Sequence, residues 1–190
     1  MNFRSLALIC LLTLCCGLTA AAQETKCALK ISQLAAPPEL HGFRLGMTLA
    51  EFKARVPRLT LRPADEFGAT AINIYPEHEE NIDKASFDGV RTISLDFLDG
   101  RVVMLWVGYA PGFKWKTPEE FLSGMTRALS LPDAWTAKTR GQQLTCDDFQ
   151  VQVSSIGGNP SIRLVDVAAH RTLEERRAAK EAAAEESKPR

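Results

Sequence analysis

The chain has 190 residues, with 23 basic and 23 acidic side chains, 45% hydrophobic residues and 7% aromatic ones. That apolar content is enough for a packed core and excludes a wholly disordered chain. A formal net charge of +0 argues against a nucleic-acid partner, which selects a basic stripe or a net positive domain.

Arg4 precedes an almost unbroken apolar run from Leu6 to Cys16, and Thr19-Ala20-Ala21-Ala22 supplies small residues before a polar stretch that starts at Gln23. This order predicts a secretory signal peptide over residues 1–22, cleaved after Ala22. The run is shorter than the roughly 20 residues a membrane-spanning helix needs. The expected location is therefore outside the cytoplasm, periplasmic or secreted. Leu12-Thr13-Leu14-Cys15 resembles a lipobox but departs from it at Leu14, so a lipid on Cys15 is the alternative, and membrane contact is expected only with it. Cys10, Cys15 and Cys16 leave with the leader. The two that stay, Cys27 and Cys146, are expected to form one disulfide, as an oxidising compartment favours.

Residues 23–110 read as an arm and a first helix-plus-sheet half, the arm extended through Pro37-Pro38. After Gly42-Phe43-Arg44, Thr48 and Glu51 fit a capping box, Leu49, Phe52 and Val56 share one helical face, and Pro57 stops the helix. A strand is expected over Ala71–Tyr75, then a polar loop to Gly89. Thr92–Leu98 alternates apolar and polar, and Asp99-Gly100 is a strong type I′ turn signal leading into Arg101–Tyr109.

Residues 111–167 repeat the plan. Gly112-Phe113-Lys114 precedes Thr117-Pro118-Glu119-Glu120-Phe121, and Thr48, Glu51 and Phe52 match Thr117, Glu120 and Phe121 at a constant offset of 69. Phe121, Leu122, Met125, Ala128 and Leu129 form the apolar face of this second helix. Strands are expected at Trp135–Lys138, Gln143–Cys146, Phe149 onward, and Ser161–Val167 beyond a Gly157-Gly158-Asn159-Pro160 turn. Residues 168–190, rich in Ala, Glu, Arg and Lys with no sustained apolar stripe, read as a charged tail, either a frayed helix or disordered. The fold class is α+β: a tandem helix-plus-antiparallel-sheet repeat whose two small halves share one core.

Gly46-Met47-Thr48-Leu49-Ala50-Glu51-Phe52 resembles the helix start of the small outer-membrane assembly lipoproteins, the SmpA/OmlA group. The tandem order of elements over residues 42–167 is similar to that of the β-lactamase inhibitor protein fold. The resemblance implies that fold and a non-enzymatic role in binding other proteins. It carries over no individual binding residue.

Chemistry-bearing patterns are sparse. His41, His78 and His170 are the three histidines, and no nucleophile elbow, phosphate loop, dinucleotide glycine pattern or zinc-protease motif occurs. Ser154-Ser155 has no base nominated by the sequence. Glu77-His78-Glu79-Glu80, with Asp83 and Asp88, matches no metal loop, so no metal or cofactor is expected. Lys53, Arg55, Arg58 and Arg62 form a basic cluster that reads as a solvated face, with anionic lipid or a partner as the alternative.

The hairpin is the most informative element. A two-residue turn at Asp99-Gly100 would pair Phe97 with Val102, Leu95 with Met104 and Ile93 with Trp106 as the core face. Val103, Leu105, Val107 and Tyr109 would then lie on the other face, covered either by the chain itself or by a partner. The expected function is an exported protein-binding or scaffold module of the bacterial envelope, its partner an envelope or secreted protein. A periplasmic module for a small hydrophobic ligand is the second reading, and an uncatalogued hydrolase the third.

Overall fold

The computed structural model describes residues 27–80 and 82–186. The expected leader, with Cys15, lies outside the described residues.

The arm makes a 3-10 turn at Ile31–Gln33 and enters a small ladder of β1 (Glu39–Leu40) and β2 (Phe43–Arg44). Next comes α1 (Leu49–Arg55), opened by the expected capping box. Thr48 Oγ1 accepts the Glu51 N–H at 3.2 Å, and Glu51 Oε2 accepts the Thr48 N–H at 2.7 Å. Those Thr48 donors hold the Glu51 carboxyl below its ordinary range. Three antiparallel strands follow: β3 (Ala69–Ile74), β4 (Val90–Leu98) and β5 (Arg101–Tyr109).

The second pass begins with α2 (Pro118–Ala128), where Thr117 again caps the Glu120 N–H at 3.2 Å. Here Glu120 reaches one residue further back, accepting the Lys116 N–H at 2.7 Å. Then come β6 (Thr136–Lys138), β7 (Gly141–Thr145), β8 (Phe149–Ile156), β9 (Asn159–Asp166) and α3 (Val167–Glu186).

The seven strands form one antiparallel sheet in the order β3-β4-β5-β9-β8-β7-β6, beside the two-stranded ladder, and the fold is α+β as expected. The last strand of each pass, β5 and β9, meet at the centre of the sheet. One sheet face is apolar from β4 to β7: Leu95, Leu105, Leu164, Val151 and Leu144 stand opposite one another on successive strands and are fully buried. Phe52 of α1 and Phe121 of α2, equivalent positions in the two capping motifs, are each 0% exposed in this core. Burying each contributes about 1.5–3 kcal/mol.

The Cys27–Cys146 disulfide is present, with a Cα–Cα distance of 4.4 Å across a sequence separation of 119. The arm is pinned twice more beside it. Leu29 O accepts the Asp147 N–H at 3.1 Å, and Asp148 Oδ1 accepts the Ile31 N–H at 2.8 Å.

The hairpin turn is the expected one, with Asp99 and Gly100 both at positive φ and Leu98 facing Arg101. Its register departs from expectation after one pair. Phe97 faces Val102, but Asp96 then faces Met104, leaving Val103 as the extra residue of a β-bulge. The Val102 N–H donates to Met47 O at 2.9 Å and Val102 O accepts the Gly46 N–H at 2.7 Å, which ties the strand to the approach to α1 just before the bulge. Every residue from 104 onward changes face, because strand side chains alternate with period two. Leu105, Val107 and Tyr109 therefore lie in the core, at 0%, 0% and 3% exposure, and form no open surface. Ile93 faces Val107 and Leu95 faces Leu105, correcting the expected pairings with Trp106 and Met104.

The C-terminal segment forms α3, which runs for 20 residues. Arg176 anchors it to the hairpin turn, donating to both carboxylate oxygens of Asp99 at 3.0 and 2.7 Å and to Phe67 O at 2.7 Å. Lys180 pairs with Glu66 one turn further on.

Candidate functional site

The bulge that buries Leu105 turns its neighbours out. On the sheet face away from α1 and α2, Ser94, Trp106, Arg163, Gln152 and Gln143 stand side by side across β4, β5, β9, β8 and β7. A second row places Asp96, Met104, Val165 and Gln150 alongside. Within these two rows Met104, Trp106 and Val165 are the apolar members, whereas the row on the opposite face from β4 to β7 is wholly apolar. It carries an open groove of ≈ 650 Å³, whose floor includes Trp106, Met104, Ser94, Gln152 and Ser154.

Three arginines border the groove. Arg91 is the second bulge residue, in β4 between the Val90–Tyr109 and Thr92–Gly108 pairs, and donates to Asn159 Oδ1 at 3.2 Å. Arg140 projects from the turn between β6 and β7 and has no hydrogen-bond or ion-pair partner among the described residues. Arg163 is exposed on β9, directly across from Trp106. At the rim, Ile156 is 57% exposed beside the Gly157-Gly158 turn. The Ser154 hydroxyl is buried with no hydrogen-bond partner among the described residues.

A second hollow of ≈ 470 Å³ lies under α3 and continues the same face. Here Val103, the one member of the expected binding face outside the core, stands with Leu173, Asp96, Arg163 and Arg177. Burial pushes the Asp96 carboxyl above its ordinary range, with Arg163, Arg177 and His170 acting in the opposite direction.

Other candidate groups have structural occupations. His41 Nδ1 lies 2.9 Å from Ser86 O, and its Nε2 lies 3.2 Å from the Tyr109 hydroxyl. Burial raises the Tyr109 pKa well above a free phenol's. Asp83 caps a 3-10 turn, accepting the Ala85 N–H at 3.2 Å and the Ser86 hydroxyl at 2.7 Å. Among the described residues no group of three or more His, Cys, Asp or Glu side chains is placed to hold a metal. From the basic cluster, Arg55 lies over Gly42 and donates to His41 O at 3.4 Å. The groove lining around Ser154 contains no histidine and no carboxylate, so no base stands beside that hydroxyl.

Sequence reasoning placed Trp106 and Met104 in the core and did not single out Arg91, Arg140 or Arg163. The signal that points to Arg163 is the alternation of Ser161–Val167, which puts it opposite Ile162 and Leu164. No described helix is long and apolar enough to cross a membrane. No protein-family model, curated protein or solved structure matches the chain.

Proposed function

We propose that this is an exported, non-enzymatic protein-binding module of the bacterial envelope, and that its partner seats on the open sheet face around Trp106. The observation that carries the reading is the outward placement of Trp106 and Met104 on a face no helix covers at the groove, with exposed Ile156 at its rim. Large apolar side chains gathered on an otherwise polar surface are what a protein interface uses as anchors. The groove is open and mixes polar side chains with Trp106 and Met104, which suits the side chains of a second protein better than an enclosed hydrophobic molecule. Export is supported by the Cys27–Cys146 bridge, since such bonds persist in oxidising compartments.

The test is site-specific photo-crosslinking in the producing cell, with benzoylphenylalanine in place of Ser94, Gln152 or, on the exposed side of α2, Ser123. A discrete protein adduct is expected from the first two positions, lost in the Trp106→Ala background and missing from Ser123. No adduct, or equal adducts from all three positions, overturns the reading.

A further inference from the structure

The whole chain balances 23 basic against 23 acidic side chains, but the open sheet face does not. Its groove is lined by Arg91, Arg140 and Arg163 and by no carboxylate. The adjoining hollow under α3 adds Arg62 and Arg177 against Asp65 and Asp96, and a third hollow beside it adds Arg171 and no acid. Asp65 Oδ1 accepts the N–H groups of Phe67 and Ala69 at 2.9 and 2.8 Å, and Arg62, Arg163 and Arg177 outnumber Asp65 and Asp96 in this hollow. Carboxylates outnumber cations at the hollow beside α2, where Glu39, Asp88, Glu119 and Glu120 line the wall with Lys114 and Arg127. The open sheet face is thus basic although the composition as a whole is neutral.

Resting on the reading of the open face as a partner site, we propose that the partner contributes an acidic segment, with carboxylates flanking an apolar side chain. Arg140 and Arg163 receive the carboxylates while the apolar side chain packs on Trp106 and Met104. Two features favour a peptide over a phosphate or sulfate polymer. The arginines are interleaved with Trp106, Met104 and Ile156, so charge and apolar surface must alternate in the occupant. The floor supplies the Gln152 amide and the Ser94 hydroxyl, which match backbone groups. Arginine at such sites gives orientation through paired donors as well as charge.

The experiment selects a phage-displayed library of random dodecapeptides on the immobilised full-length mature chain. Selected peptides are then measured by fluorescence polarisation against the wild type, Trp106→Ala, Arg163→Gln and the Arg140→Glu/Arg163→Glu double variant. These side chains stand on the surface, and equal Tm values would show the variants folded. The expected result is enrichment of Asp and Glu around an aromatic or aliphatic residue. Affinity should fall about tenfold in Arg163→Gln and further in the double variant, and weaken with added salt. Peptides without acidic enrichment that still need Trp106 overturn the acidic partner and leave the protein-binding reading standing. Peptides indifferent to both Trp106 and the arginines overturn both. Recovery of no peptide, with salt-sensitive binding of heparin that the double variant abolishes, overturns the peptide in favour of a sulfated polymer.

Discussion

The indole of Trp106 lies over the backbone of Gly108, two positions along the same strand: a Cβ on Gly108 would stand 2.5 Å from Trp106 Cη2. The missing side chain is what lets the ring settle against the sheet. Gly108→Ala should push the indole off the strand at a cost of about 1 kcal/mol, since the methyl meets a movable side chain. Partner capture should fall nearly as far as in Trp106→Ala. Tryptophan fluorescence and a denaturation curve measure the two effects separately.

The bulge assigns opposite fates to neighbouring residues. Leu105, fully buried, should cost about 2–5 kcal/mol on truncation to Ala, whereas Val103→Ala, at the partly buried bulge, should cost under about 1 kcal/mol. Urea unfolding of both variants checks this. Equal costs would contradict the placement of the two side chains.

Removing the disulfide with Cys27→Ser/Cys146→Ser should lower stability by about 2–5 kcal/mol and Tm by roughly 5–15 °C, because the bridge closes a long loop in the unfolded chain. The same variant should leave the sheet intact by far-ultraviolet circular dichroism in native buffer. Hydrogen exchange should rise first in the arm, where the Leu29 and Ile31 backbone bonds lose their anchor.

Two aspartates on the hairpin respond to acid with opposite signs. Asp99, held below its ordinary pKa chiefly by its hydrogen bonds to Arg176, stabilises the docked α3 above the unfolded pKa of an aspartate. That contribution fades as the pH falls through its lowered value, so exchange in the α3 amides around Arg176 should rise under strong acid. Asp96, pushed up by burial, binds its proton more tightly in the fold, and its contribution becomes unfavourable as the pH rises through the aspartate range. Asp96→Asn should therefore be neutral or slightly stabilising at pH 7 and have no such effect in strong acid. Thermal unfolding across pH measures both.

Local chemistry made most of the fold legible. Thr48 with Glu51 and Thr117 with Glu120 announce helix starts from side chains within one turn, and Asp99-Gly100 announces its hairpin from two residues. The face of the hairpin was not legible, because Val102 and Val103 are equally at home inside or outside. The extra residue falls beside a distant pairing of Val102 with Gly46 and Met47, which no strand periodicity encodes. The docking of α3 was hidden for a related reason. Its anchors, Asp99 and Glu66, lie far back in the chain, and only the fold brings Arg176 and Lys180 to them. The candidate site follows from the bulge, so Trp106 was readable as a strand residue and not as a surface one.

The meeting of β5 with β9 carries a consequence for biogenesis. Residues Met104–Gly108 find their second neighbour only when Ser161–Val165 has been made and delivered. Until then the leading half of the polypeptide presents a bare, hydrogen-bonding strand margin of the kind that recruits other chains. A product truncated after Tyr109 would keep that margin permanently and should self-associate, while the complete chain seals it from within. Quality control of this protein thus falls on its final strand, the one that brings Arg163 beside Trp106.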